Sequence, residues 1–159
     1  AAGNYAGQFY PQELAHKEGL QQVIWTDACS HQNLEEAGAM NVFFRINDTL
    51  FTAPTSERIL DGVTRKSLIT LAQSKGYKVE VRYVTVSELI ASAKDGSLKE
   101  IFGAGTAAVI SPVLGFKYKD EAYETPIPND SYALKLKKYL TDIQTNQSED
   151  KFGWRVLVK

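Results

Sequence analysis

One stretch near the middle of the chain changes from a strand pattern to a helix pattern and back, and this order constrains the fold most strongly. Residues 41–52 predict a hairpin that turns at Asn47-Asp48, and residues 79–84 alternate as in a strand. Between them, residues 64–75 carry apolar side chains at helical spacing. A helix that connects two strands predicts an α/β domain with a mixed sheet.

This central helix also has recognisable ends. Thr64 is a suitable N-cap, and Gly76 is a suitable left-handed stop. The face that packs against the sheet is predicted to hold Leu68, Ile69, Leu71 and Ala72.

The rest of the chain continues the same mixture. The other predicted helices cover residues 5–18 (ending before Gly19), 85–94 and 130–144. The other predicted strands cover residues 21–27 and 107–113, with a hairpin over residues 116–123 that turns at Lys119-Asp120. The last helix is expected to bury Leu134, Leu136, Leu140 and Ile143. At 159 residues, these elements are expected to form a single domain.

The composition argues against several classes of partner and site. The formal net charge is -1, so the chain has no basic field that would hold nucleic acid or an anionic membrane. Cys29 is the only cysteine, which indicates a reducing compartment. No cysteine or carboxylate lies at ligand spacing from His16 or His31, so no metal site is predicted. Without a secretion signal or an apolar run of about 20 residues, a soluble cytoplasmic protein is expected.

A glycine-bearing segment at the start of the central helix forms the first candidate anion site. In Gly62-Val63-Thr64, the helix start would present unpaired backbone N–H groups and the positive end of the helix dipole, and the Thr64 hydroxyl can add a further bond. In the structural alternative, which the pattern alone favours, Gly62 makes a turn and Thr64 caps the helix for about 1 kcal/mol.

A second glycine-rich segment, residues 102–108, matches the pattern G-x-G-x-x-A. The dinucleotide-binding fingerprint needs a helix after the glycines, whereas a β-branched run that ends at Pro112 follows here. No Lys-Ser/Thr pair follows either glycine segment, so a P-loop is also excluded. The segment is then either a tight turn, which the pattern favours, or a loop whose N–H groups approach a second face of an anion.

Two adjacent acids, Glu35 and Glu36, precede the small-residue stretch Ala37-Gly38-Ala39. Such a pair usually belongs to a solvated loop. A buried carboxylate at this place would instead need a partner such as a protonated ring nitrogen.

Four segments in this order resemble the second domain of the class IV, or fold-type IV, PLP-dependent enzymes: Gly3-Asn4-Tyr5, residues 36–43 (EAGAMNVF), residues 59–65 (ILDGVTR) and residues 102–109 (FGAGTAAV). Within that class the chain is most similar to L-branched-chain aminotransferases, through residues 86–113 and residues 149–154. The resemblance implies the C-terminal domain fold of the D-amino acid aminotransferase-like enzymes, an α/β mixed-sheet pseudo-barrel.

The resemblance also implies a cofactor, pyridoxal 5'-phosphate, and the residues that hold it. Tyr5 would hydrogen-bond its phenolic oxygen, and Glu36 would pair with the pyridine nitrogen and keep it protonated. Leu60 would pack on the ring. The backbone N–H groups of Thr106 and Ala107 would face the substrate carboxylate. Val63, Thr64 and Thr106 would hold the phosphate, and Gly62 and Gly105 are further cofactor-binding residues.

The implied reaction moves the amino group from L-leucine, L-isoleucine or L-valine to 2-oxoglutarate. The catalytic lysine of the family would fall immediately before Ala1, and its N-terminal domain is absent from this sequence, so the chain alone is expected to be inactive. The family suggests a homodimer of two-domain subunits. One alternative keeps the fold and makes the enzyme a D-amino acid aminotransferase or an aminodeoxychorismate lyase. Another is a non-catalytic domain that binds a phosphorylated small molecule or a partner protein.

Overall fold

The computed structural model describes residues 2–38 and 40–158. The helices are α1 (Ala2–Tyr5), α2 (Phe9–Lys17), α3 (Val63–Ser74), α4 (Val86–Lys94) and α5 (Tyr132–Gln144), with a 3-10 turn over Ala6–Gln8. The strands are β1 (Ile24–Thr26), β2 (Leu34–Ala37), β3 (Met40–Ile46), β4 (Thr49–Thr52), β5 (Lys78–Val81), β6 (Leu98–Gly105), β7 (Val109–Val113), β8 (Gly115–Tyr118) and β9 (Glu121–Glu124). The predicted mixed α/β fold is confirmed.

Strand β3 is the centre of the seven-stranded main sheet. Strand β6 pairs along one edge of β3, and the other edge pairs first with β2 and then with β4. Helix α3 connects β4 to β5, which are parallel, whereas the other strand pairs within the described residues are antiparallel. Strands β8 and β9 form a separate hairpin. The first residues of β3 therefore lie between β2 and β6.

Helices cover both faces of β3 because its side chains are apolar on both sides. Val42 and Phe44 belong to the core cluster that includes α4, whereas Phe43 belongs to the cluster that includes α3 and α5. Side chains alternate along a strand, so Asn41 and Arg45 share the face of Phe43. Both polar side chains lie on the α3 and α5 side of the sheet, near opposite ends of the strand.

The second glycine-rich segment is the largest error in the predicted elements. Residues 102–105 belong to β6 rather than to a turn, and only residues 106–108 separate β6 from β7. The pairing of Phe102 with Phe43, whose rings stack at a centroid distance of 5.1 Å, draws this segment into the sheet. A Cβ at Gly103 would lie 2.8 Å from Sδ of Met40, so glycine allows Met40 to cross the strand.

Two predictions about helix residues are wrong. Helix α3 begins at Val63 with Gly62 in the N-cap position and no side-chain capping bond, so Thr64 is not the cap. Leu134 is 47% exposed. The buried face of α5 includes the neighbouring Ala133, and Leu134 points away from it because the helix turns by about 100° per residue. The other predicted core residues of this helix are buried, namely Leu136, Leu140 and Ile143.

The predicted helix over residues 5–18 is divided, because α2 begins only at Phe9 and α1 and the 3-10 turn precede it. The predicted glycine stops and hairpin turns are confirmed. Gly19 and Gly76 follow α2 and α3 with φ of +77° and +81°. Asn47 and Lys119 adopt φ of +51° and +54° in the two predicted hairpins. None of the helices in the described part of the chain is long and apolar enough to cross a membrane.

Candidate functional site

A cavity of about 1010 Å³ opens at the end of the sheet where β3 and α3 begin. Ala107 does not line it, because this residue follows Thr106 in the exposed turn. The remaining predicted site residues all contribute to its wall: Tyr5, Glu36, Leu60, Gly62, Val63, Thr64, Gly105 and Thr106. The two glycine segments, which are far apart in sequence, therefore border one space.

Among the described residues, one carboxylate oxygen of Glu36 is hydrogen-bonded and the other is free. Oε1 accepts hydrogen bonds from Asn41 Nδ2 and from the Leu60 backbone N–H, both at 2.8 Å. Oε2 accepts none from the described residues. The solvated-loop interpretation of the acid pair is wrong, because both acids lie in β2 and the buried Glu35 accepts a hydrogen bond from Arg58 at 2.8 Å.

The environment of Glu36 raises the pKa of its carboxyl group. Burial is the largest cause, and the neighbouring Glu35 acts in the same direction. The hydrogen bond from the Leu60 N–H and the charge of Arg65 oppose this increase. A half-buried carboxylate of this kind gains from a positively charged partner, which would stabilise its ionised form.

Asn41 ties this carboxylate to the loop that precedes α3. It is Glu36's partner across β2 and β3, and its Nδ2 also donates to the Leu60 carbonyl oxygen at 2.9 Å. A Cβ at Gly62 would lie 2.2 Å from Asn41 Oδ1, so only glycine allows this approach. The acid, the loop and the helix start are thereby held as one unit.

The start of α3 is open toward the cavity. Its N-cap is Gly62, which contributes no side-chain bond, and no acceptor among the described residues meets the backbone N–H groups of Val63, Thr64 and Arg65. By contrast, the side chains of Thr85 and Ser131 cap α4 and α5. An uncapped helix start that borders a cavity is suited to an anion.

The second glycine segment meets the same cavity at the end of β6. Gly105 and Thr106 line the wall, and Gly105 pairs with Val109 across the turn. Val109 has φ of +59°, a left-handed conformation that costs a β-branched residue about 1–3 kcal/mol. The surrounding strand pairing thus holds the turn in a fixed and strained shape.

Two residues at or beside this site were not given a role from the sequence. Asn41 could have been found from the hairpin, because an acid and an amide five residues apart face each other when the chain reverses between them. Arg65 carries no such signal, because an arginine in the first turn of a helix is normally exposed. Its burial becomes visible only in the folded chain.

The wall has groups that match three parts of pyridoxal phosphate. The free Oε2 of Glu36 can accept a hydrogen bond from a protonated ring nitrogen. Leu60 and Val63, which are 70% and 77% exposed, offer an apolar surface to the ring. The open start of α3 suits the phosphate. The residues present therefore fit this cofactor, while no group of three or more metal-ligating side chains occurs among the residues described.

Comparisons with known proteins identify the family of the chain. The amino-transferase class IV family model matches residues 2–116. A "probable branched-chain-amino-acid aminotransferase" of Staphylococcus aureus strain N315 is 46% identical, over 99% of this chain and 44% of the relative. The solved branched-chain amino acid aminotransferase of Escherichia coli has a TM-score of 0.77 at 26% identity, over 96% of this chain and 46% of that one.

A third comparison bears on the ligand. The T.th. branched-chain amino acid aminotransferase, solved in complex with N-(5'-phosphopyridoxyl)-L-glutamate, has a TM-score of 0.76 at 26% identity, over 96% of this chain and 47% of that one. Fold and site together define a class IV aminotransferase domain, and the chain belongs to that family. Its relatives named above are branched-chain aminotransferases, and the chain spans less than half of their length.

Proposed function

We propose that this chain is the single C-terminal, cofactor-binding domain of a pyridoxal phosphate-dependent branched-chain amino acid aminotransferase. One observation carries the proposal: a single cavity collects the free oxygen of Glu36, the uncapped start of α3 and the turn at Thr106. These groups lie far apart in the sequence and have complementary chemistry for one small ligand. A non-catalytic domain would need no carboxylate placed opposite an anion site.

Each residue of the wall has a role that its chemistry can fill. When bound, the cofactor withdraws electrons from the substrate Cα and carries the amino group. Glu36 Oε2 would hold a proton at the pyridine nitrogen, and Tyr5 would donate to the phenolic oxygen. Leu60 would pack on the ring. The phosphate would bind the N–H groups at the start of α3, with the hydroxyls of Thr64 and Thr106.

The substrate and the missing parts are inferred from relatives. Their names support L-leucine, L-isoleucine and L-valine as amino donors, with 2-oxoglutarate as acceptor. The backbone N–H groups of Thr106 and Ala107 would face the substrate carboxylate. An N-terminal domain and a lysine ahead of Ala1 would complete the enzyme, in the cytoplasm and as a homodimer. The intact mass of the source protein should then exceed twice 17.7 kDa, because this chain spans 44% of the S. aureus relative.

Binding of pyridoxamine 5'-phosphate tests the site without the missing lysine, since this amine form needs no covalent attachment. Calorimetric titration of the purified chain should show one site. Glu36→Gln should weaken binding by about 10-fold or more, because a hydrogen bond to a charged group is lost. Glu57→Gln, which removes an equal charge from the cavity rim, should change the affinity by less than about 3-fold. Equal losses in the two variants would count against the role of Glu36.

A chimera tests the reaction and the donor. The upstream part of the S. aureus relative, joined ahead of Ala1, should give a chain that forms glutamate from L-leucine and 2-oxoglutarate. The 159-residue chain alone, supplied with pyridoxal phosphate, should form none. Faster turnover of the chimera with D-alanine than with L-leucine would favour a D-amino acid aminotransferase. Turnover by the chain alone at an enzyme-like rate would show that the lysine is misplaced.

A further inference from the structure

Arg65 carries a buried charge that the described protein leaves without a carboxylate partner. It lies in the first turn of α3 and is 5% exposed. Its Nη2 donates to the Ala53 carbonyl oxygen at 2.8 Å, but Nε has no hydrogen-bond partner in the described part of the chain. Within the described residues, no carboxylate oxygen lies within 4.0 Å of the guanidinium. Burial lowers the pKa of Arg65, and Asp61 and Glu36 oppose this only from a distance.

A buried charge without a partner destabilises a fold, so its presence needs a reason. Arginine cannot relieve the cost by losing its proton. The guanidinium also lies at the positive end of the α3 dipole, which adds repulsion. Charge, dipole and open N–H groups at this helix start all favour an anion from outside the chain.

The start of α5 shows the same arrangement with its anion in place. There the buried Glu100 accepts hydrogen bonds from the backbone N–H groups of Tyr132 and Ala133, at 2.7 and 3.0 Å. Arg45 pairs with the same carboxylate at 3.0 Å. A helix start, a buried arginine and an anion between them form a complete set at α5. Helix α3 has the helix start and the buried Arg65, but it lacks the anion.

We propose that Arg65 is the counter-charge for the phosphate of the ligand that binds at the start of α3, an inference that rests on the proposed function. Arg65 does not line the cavity, so it is a positioning residue rather than a contact. Its charge acts through the first turn of α3, whose N–H groups would touch the phosphate. It also opposes the raised pKa of Glu36 and so favours the ionised acid.

Two ligands that differ only in the phosphate isolate this role. Calorimetric titrations compare pyridoxamine 5'-phosphate with pyridoxamine on the 159-residue chain. Arg65→Met should weaken binding of the phosphorylated ligand by about 10-fold, because a unit charge is removed from a poorly screened position. Binding of pyridoxamine should change by less than about 3-fold, because the second ligand has no phosphate. Glu36→Gln should weaken the binding of both ligands, because both contain the ring nitrogen.

Two matched variants separate charge from shape. Lys66→Met removes an equal charge one residue later, but the Lys66 side chain is exposed and paired with Asp61, so affinity for the phosphorylated ligand should change by less than about 3-fold. Arg65→Lys keeps a charge at the buried position and should retain binding within about 3-fold of the original chain. If Arg65→Lys weakened binding of the phosphorylated ligand as much as Arg65→Met, the proposal would be overturned.

Unfolding in urea distinguishes this role from a structural one. Without ligand, Arg65→Met should unfold at a urea concentration no lower than the original chain, because an uncompensated charge has been removed. With saturating pyridoxamine 5'-phosphate, the original chain should be the more stable of the two. A structural role predicts the reverse for the free chain, with equal losses for the two ligands. If the original chain binds neither ligand, the proposed function itself fails, whereas normal binding by Arg65→Met refutes only the role of Arg65.

Discussion

The starts of α3 and α5 lie on the same face of the sheet, near opposite ends of β3, and they differ in one component. At α5, Glu100 satisfies the helix N–H groups and the charge of Arg45. At α3, the N–H groups and Arg65 have no such acid among the described residues. The α5 start is complete as folded, so it stabilises the domain. The α3 start lacks such an acid among the described residues, and we propose that this difference marks a binding site.

The largest effect on the free energy of unfolding is expected at the start of α5. Glu100→Gln should lower the free energy of unfolding by about 3 kcal/mol or more, because Arg45 loses its buried partner and helix N–H groups lose their acceptor. Asp130→Asn is the matched control. Asp130 also pairs with Arg45, at 2.7 Å, but its side chain is 60% exposed, so its loss should cost less than about 1 kcal/mol. Urea unfolding measures both, and equal costs would remove the distinction between the two helix starts.

The next effect concerns the packing that holds the open start in place. Gly62→Ala should cost about 1–3 kcal/mol, because the added Cβ would meet Asn41 Oδ1 at 2.2 Å. Affinity for pyridoxamine 5'-phosphate should fall as well, since the loop before α3 must move. Gly3→Ala is a suitable control, because nothing lies within 4 Å of its Cβ position and Gly3 does not line the cavity. Unchanged affinity in Gly62→Ala would mean that this loop does not hold the ligand.

A smaller effect compares two threonines near helix starts. Thr85 caps α4 by accepting a hydrogen bond from the Glu88 N–H at 3.1 Å, so Thr85→Ala should cost about 1 kcal/mol of unfolding free energy. Thr64→Ala should cost less than about 0.5 kcal/mol in the free chain, because Thr64 caps nothing. The same substitution should nevertheless lower the affinity for pyridoxamine 5'-phosphate. A stability cost at Thr64 equal to that at Thr85 would restore the structural interpretation of this residue.

The smallest effect is a pH dependence of opposite sign at two acids. The pKa of Glu36 is raised, so its ionised form destabilises the fold, and this penalty disappears as pH falls through the raised value toward 4.5. Glu36→Gln should therefore stabilise the chain relative to the original at pH 8, and this gain should be absent at pH 4.

Glu88 provides the control, because Arg82 lowers the pKa of its carboxyl group. Its contribution is present above pH 4.5 and is lost as pH falls through the lowered value, so Glu88→Gln should destabilise the chain at pH 8. Urea unfolding at several pH values distinguishes the two signs. The same sign at both acids would contradict the burial of Glu36.

The sequence was sufficient for those parts of the structure that depend on local patterns. The hairpin turn at Asn47 needs a residue that tolerates positive φ, and the helix ends at Gly19 and Gly76 need glycine, so both can be predicted from short segments. The strand that contains Phe102 was missed because glycine-rich residues become a strand only through pairing with β3. Long-range pairing has no local signal.

The site divides in the same way. The family resemblance identified Glu36, Thr64 and Thr106 as site residues, and in the folded chain all three line one cavity. The resemblance gave no role to Asn41 or Arg65, because their importance lies in what they contact or fail to contact after folding. Arg65 in particular is recognised by the absence of a partner, which no sequence pattern encodes.

Amide chemical shifts can show whether the two glycine segments bind one ligand. The chain labelled with ¹⁵N is titrated with pyridoxamine 5'-phosphate, and the amide signals of Gly62, Val63, Thr64, Gly105 and Thr106 are followed. If both segments hold the same molecule, both groups of signals shift along one binding curve, while the amide of Tyr132 at the closed start of α5 does not move. Shifts confined to one segment, or two curves with different midpoints, would contradict a shared site.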